Sequence, residues 1–229
     1  VPNGPLSLPA RLYLLAWDTT KRSITGSTHL HHLVRAGALT ELAQRGLLVD
    51  DDGIVTPVDA DSRTGDVVLD GLLELVSESL PRGWKPWVTS RARVTLDAVR
   101  AQLAADGYLR AERKRVFGIF PSVEYELDRV PVVEALRGQA REVLEGPVPV
   151  ADVGDRDAAL VALATAAELR TFASPKERAL HRARIDELTE RGGAAAPALR
   201  KVIQDVRTAV VVAAATASAK AATATTTAN

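Results

Sequence analysis

Twice in this chain a helix-forming run ends at a glycine and passes directly into two short strands, once over about 28–58 and again over about 91–128. Hairpins of this kind close locally, and there is no strand–helix–strand alternation from which a parallel sheet could be built. The interior must therefore be helical. In the second unit, RARVTLDAVRAQLAADG puts Val94, Ala98, Ala101 and Ala105 on one face with Leu103 beside it, a spacing near 3.6, and Gly107 stands at the left-handed stop. In the first, Leu39, Leu42 and Ala43 alternate with Glu41, Gln44 and Arg45 ahead of Gly46. Its turn, Asp52-Gly53, is tight and acidic, as a turn facing water should be.

The second hairpin differs at its tip. Val116, Phe117, Gly118, Ile119 and Phe120 occupy the turn, and Arg113, Lys114 and Arg115 precede them. The return strand alternates Val123, Tyr125 and Leu127 with Glu124 and Glu126. An apolar tip above a cationic collar suits entry into another phase, and the collar points to an anionic surface. Val116, Phe117, Ile119 and Phe120 are the expected insertion residues, exposed in the free protein. The competing use of such a tip is contact with a second copy of the chain.

Apolar helices are expected at about 8–17, 67–79, 156–170 and 199–214, with Ser7 and Thr28 as N-caps. Further helices are expected over 130–144 and 174–191. The segment 19–27 reads as a polar loop. GWKPWVTS reads as a break, its Trp84 and Trp87 as core or turn residues. The tail KAATATTTAN is low-complexity and predicts little packed structure. The expectation is a mainly α fold: a single globular domain over 6–218, short β-hairpins near 47–58 and 108–127, and loosely ordered ends at 1–5 and 219–229.

Composition narrows function. Lysine plus arginine equals aspartate plus glutamate at 29 each, which disfavours a generally basic nucleic-acid coat. The charge is segregated, however: 39–80 carries ten acids against Arg45 and Arg63, and 81–115 carries nine bases against three acids. The absence of cysteine excludes disulfides and thiolate metal sites. There is no GxSxG, Walker loop, GxGxxG or HExxH, so no enzyme activity and no cofactor is expected. His29, His31 and His32 lack a nearby carboxylate or cysteine to complete a metal site and read as structural or solvated. Asp50-Asp51-Asp52 reads as a solvated turn. No run of 18 apolar residues exists and no leader is visible at the start, so any membrane contact is expected to be peripheral, from the cytoplasm onto the inner face.

LSLPARLYLLAWD, RAGALTELAQRGLL, SRTGDVVLD, WKPW and LAADGYL, in that order, resemble the Golgi phosphoprotein 3 family over nearly the whole chain; ELAxRG and S-x-TGDVxLD are the most specific blocks. The alanine, valine and arginine bias fits a GC-rich genome and a bacterial, actinobacterial member. The resemblance implies a buried helical core ringed by amphipathic helices, with a protruding apolar hairpin. It also implies a peripheral membrane protein that binds phosphatidylinositol 4-phosphate through arginines and a tryptophan beside that hairpin, and that holds short protein tails as an adaptor. Arg35 and Arg93 match two of the arginine positions; Leu96 falls on the third and Gly26 near the tryptophan. Lys85 and Arg91 are the residues placed to compensate. The expected partners are thus an anionic lipid or phosphoinositide surface, a protein client, and a homo-oligomer through the hairpin.

A second reading comes from the same residues. Helix–turn–helix plus a two-stranded wing is the winged-helix plan, and the basic 91–115 stretch would suit DNA. The tip argues against it, since wings in the minor groove usually present arginine or lysine.

Overall fold

Three helices have no polar face wide enough to reach water, and they become the interior. They are α1 (Leu8–Leu15), α2 (Leu30–Gln44) and α7 (Asp155–Ala166). Burial in α2 is unbroken from Leu33 to Ala43, and in α7 from Ala158 to Ala166. This computed structural model describes residues 6–26, 28–59, 61–116, 120–191 and 196–226, without the side chains at 113–116, 120–122, 196–197, 199, 213–214 and 217–226. Val1–Pro5, expected to be loose, lie outside the described residues.

Around these three run α3 (Val67–Ser77), α4 (Trp84–Thr89), α5 (Ala92–Ala105), α6 (Val130–Glu145), α8 (Pro175–Leu180), α9 (Arg182–Glu190) and α10 (Ala196–Thr226). Most turn one stripe inward: Leu69, Leu72, Leu73 and Val76 on α3, Val133, Leu136, Ala140 and Leu144 on α6, Val202, Ile203 and Val206 on α10. The central helix α2 touches α1, α3, α4, α5, α7 and α10. It meets α1 closely at Gly37, where an added Cβ would lie 2.5 Å from Leu12 Cδ1 and 3.3 Å from the Pro9 backbone. The mainly α class with small hairpins is what the sequence predicts.

The strands are short and antiparallel. β1 (Trp17–Asp18) pairs with β2 (Ser23–Ile24), where the sequence suggests only a polar loop. β3 (Leu48–Asp51) and β4 (Ile54–Pro57) form the expected hairpin, with Asp52 at φ 48° and Gly53 at φ 87°. A third strand, β5 (Arg82–Gly83), adds to β4. One carboxylate ties this sheet to distant elements: Asp50 accepts from the Gly53 amide (2.7 Å), Trp84 Nε1 (2.8 Å) and Lys201 Nζ on α10. β6 (Leu109–Val116) and β7 (Phe120–Leu127) pair over eight positions, from Leu109↔Leu127 to Val116↔Phe120.

Several local expectations are corrected. The buried face of α5 is Ala92, Thr95, Leu96, Val99 and Leu103, and Val94 is 60% exposed. Turning the helix this way buries two leucines and a valine in place of a row of alanines, which removes more apolar area from water. Ser7 stands at the N-cap of α1 without a side-chain cap bond. The Leu8 amide instead donates to Glu41 Oε2 at 2.6 Å. His29, not Thr28, is the N-cap residue of α2, also without a side-chain bond. WKPW is the start of helix α4, with proline tolerated in the first turn and Trp84 and Trp87 buried. α7 ends at Ala166, short of the expected 170, and Glu168 follows at φ 53°. α10 continues to Thr226, past the expected end of structure.

Candidate functional site

Arg35 lies just over one turn into α2, near the start of its unbroken run of buried residues. It is fully buried. Its Nη2 donates to the Arg91 carbonyl at 3.0 Å, and its Nε and Nη1 have no hydrogen-bond partner among the described residues. A buried guanidinium normally has carboxylates or carbonyls for most of its five N–H groups, because an unpaired one costs free energy. Burial pulls its pKa down to about 10, which leaves it charged at neutral pH. This is a cation with donors to spare.

The partner carbonyl comes from an unusual residue. Arg91 is the N-cap of α5 with φ 52°, a left-handed conformation that an arginine adopts at a cost of about 1–2 kcal/mol. That twist lets the chain turn from α4 into α5 while the Arg91 carbonyl faces Arg35. No acidic residue sits in the first turn of α5 or of α2, and neither helix has a side-chain cap bond. Arg93, exposed in that first turn, acts electrostatically on both His31 and His32 of α2. The structure thus brings Arg35, Arg91 and Arg93 to one junction, with His31 and His32 at its edge. The sequence reading had assigned these histidines no role. Their signal was the spacing i, i+3 and i+4 to Arg35, which puts all three on neighbouring positions of one helix face.

The other expected residues fall differently. Lys85 is exposed on α4 and acts on Asp205 of α10. Leu96 is buried in the core stripe of α5 and supplies nothing to the junction. Gly26 adopts φ 66°, and an added Cβ would lie 3.1 Å from His29 Nε2. That ring nitrogen lies 3.0 Å from the Ala167 carbonyl. An imidazole therefore crowds the space into which a tryptophan side chain would start.

The second hairpin leaves the body progressively. Leu109 and Leu127 at its base are buried, and Val123 is 49% exposed. Arg110 pairs with Glu126 across the strands. Arg100 of α5 lies over the Tyr125 ring at 5.6 Å and over Tyr13 at 5.7 Å, which ties the base of the hairpin to α5 and α1. The tip residues Phe117, Gly118 and Ile119 lie outside the described residues, as do the side chains of Val116, Phe120, Arg113, Lys114 and Arg115.

The most specific sequence blocks sit elsewhere and are structural. In ELAQRG, Glu41 is buried, accepts from Leu8, pairs with Arg45 at 2.6 Å and with Arg156 at 3.2 Å, and so fixes the start of α1 to α2 and α7. In SRTGDVVLD, Asp66 caps α3 through the Val68 and Leu69 amides, and Asp70 accepts from the Thr64 amide and hydroxyl at 2.6 and 2.7 Å. Among the described residues no helix is long and apolar enough to cross a membrane. A family model described as Golgi phosphoprotein 3 (GPP34) matches residues 8–206. No curated protein matches the chain significantly.

Proposed function

Because this chain belongs to the Golgi phosphoprotein 3 family, we propose that it is a peripheral membrane protein that holds a phosphorylated lipid head group, phosphatidylinositol 4-phosphate or a related phosphoinositide, at the junction of α2 and α5. The observation that carries this reading is Arg35, fully buried with two N–H-bearing nitrogens unpaired. Arg93 is the second cation and Arg91 a third, with Lys85 at the margin. Phosphate suits such a set because guanidinium groups donate to its oxygens in pairs. The hairpin tip, Val116, Phe117, Ile119 and Phe120, enters the bilayer, and Arg113, Lys114 and Arg115 meet its anionic surface. Each cation near such a surface adds about 1 kcal/mol, and stable docking needs both signals. The role is binding, without catalysis, on the inner face of the membrane, with a protein client as a further partner.

Flotation with phosphatidylcholine vesicles, with and without phosphatidylinositol 4-phosphate, tests it. The wild type should float with the anionic vesicles and less so as salt is raised. Arg35→Ala with Arg93→Ala should stay at the bottom, and so should Phe117→Ser with Phe120→Ser. Equal flotation of the arginine double variant sinks the pocket. Equal flotation of the serine double variant sinks insertion and makes the tip a contact between copies. Failure on vesicles with retardation of duplex DNA favours the winged-helix reading.

A further inference from the structure

His31 and His32 occupy the rim of the same junction, and their chemistry differs from that of the arginines. The two rings lie 4.0 Å apart, tilted by 48°. His32 Nδ1 is buried with no hydrogen-bond partner among the described residues. Both precede Arg35 on α2 by three or four residues, so all three share one side of the helix. The elements packed on α2 carry charges of both signs, among them Arg91, Arg93, Asp97 and Arg100 on or beside α5, Lys85 on α4, Lys201, Asp205 and Arg207 on α10, and Glu168 after α7. Arg93 acts on both rings, and Glu168 acts on His29. No carboxylate among these acts on His31 or His32. Each ring therefore feels burial and neighbouring cations and no opposite charge.

We propose that His31 and His32 are ligand-binding residues of this site that become protonated as a phosphomonoester dianion enters, so that binding takes up protons. The inference rests on the head-group reading given above. In the free protein burial, His32 and Arg93 hold His31 down to about 4, and burial, His29 and Arg93 lower His32. A dianion beside them supplies the missing opposite charge and raises both. A free phosphomonoester and a lipid head group share this chemistry, whereas a phosphodiester carries a single charge and pulls less. The sign separates this site from one made of arginines alone. Such a site favours the dianion over the monoanion, whose proton leaves near pH 6, and would release protons on binding.

The test is titration calorimetry of the full chain with soluble inositol 1,4-bisphosphate, and in parallel with vesicles containing phosphatidylinositol 4-phosphate. Each is run near pH 6.5 in two buffers of different ionisation enthalpy. The expected result is uptake of about one proton per phosphate site, with affinity rising about tenfold from pH 8 to pH 6. His31→Asn with His32→Asn should turn the uptake into release and reverse the pH dependence, while binding at pH 8 persists. His181→Asn, remote on the α8–α9 junction, should behave as wild type. Binding by the wild type with proton release, or uptake that survives in the double variant, overturns the assignment and leaves the head-group reading standing. Uptake on vesicles but not with the soluble ligand reports the lowered pH at an anionic surface and also overturns it. Absence of binding in either form removes both readings together.

Discussion

Arg35 shows how a single side chain can work against stability. A fully buried guanidinium with one carbonyl partner is a poor structural choice, since an apolar side chain of similar volume would fill the space without desolvating a charge. Arg35→Met is accordingly expected to stabilise the protein by about 1–3 kcal/mol, read as a higher urea midpoint at unchanged slope, while abolishing flotation with anionic vesicles. Loss of both stability and binding would instead make Arg35 a structural residue. Arg91 makes a complementary case. Its carbonyl is used and its left-handed backbone is strained, so Arg91→Gly should gain about 1 kcal/mol. Any loss of vesicle binding in that variant then measures the Arg91 side chain alone.

At the scale of elements, the fold was more legible than the site. Glycine stops at Gly46 and Gly107, the Asp52-Gly53 turn and the apolar helices were readable because each rests on local chemistry within a few residues. Val94 misled because alanine and valine at helical spacing look like a core stripe until Leu96, Val99 and Leu103 compete with them for burial. β5 was invisible because two residues carry no period. The site was only half legible: Arg35 and Arg93 could be named, but the carbonyl of Arg91 and the pairing of His31 with His32 depend on how α5 meets α2. The most specific blocks, meanwhile, encode joints between elements. Glu41 is one such joint. Glu41→Ala would leave the Leu8 amide without its acceptor and two arginines facing each other, and should cost about 3–5 kcal/mol, seen as a matching fall in the free energy of urea unfolding. A change under 1 kcal/mol would show that α1 is held by packing alone.

For the molecule as a whole, acid is the vulnerable side. His31 is held down to about 4 by burial, His32 and Arg93, so its neutral form belongs to the fold. Stability from this ring is complete above its ordinary value near 6.5 and is lost as pH falls from there toward 4. Glu177, held at about 2 by Ser174 and Arg141, keeps its charge in the capping box of α8. Its contribution is complete above about 4.5 and is lost as pH falls toward 2. Urea midpoints measured across pH should therefore decline in two windows; His31→Asn should flatten the upper one and Glu177→Gln the lower. The order of synthesis adds a last consequence. Helix α2 is made within the first 44 residues, yet α10, which packs along it and anchors to Asp50 through Lys201, begins only at residue 196. A nascent chain leaving the ribosome N-terminus first carries that flank of its central helix uncovered until α10 has emerged, more than 150 residues after α2. Native closure of that flank thus waits on a distant segment, and a growing chain exposes apolar surface there in the meantime.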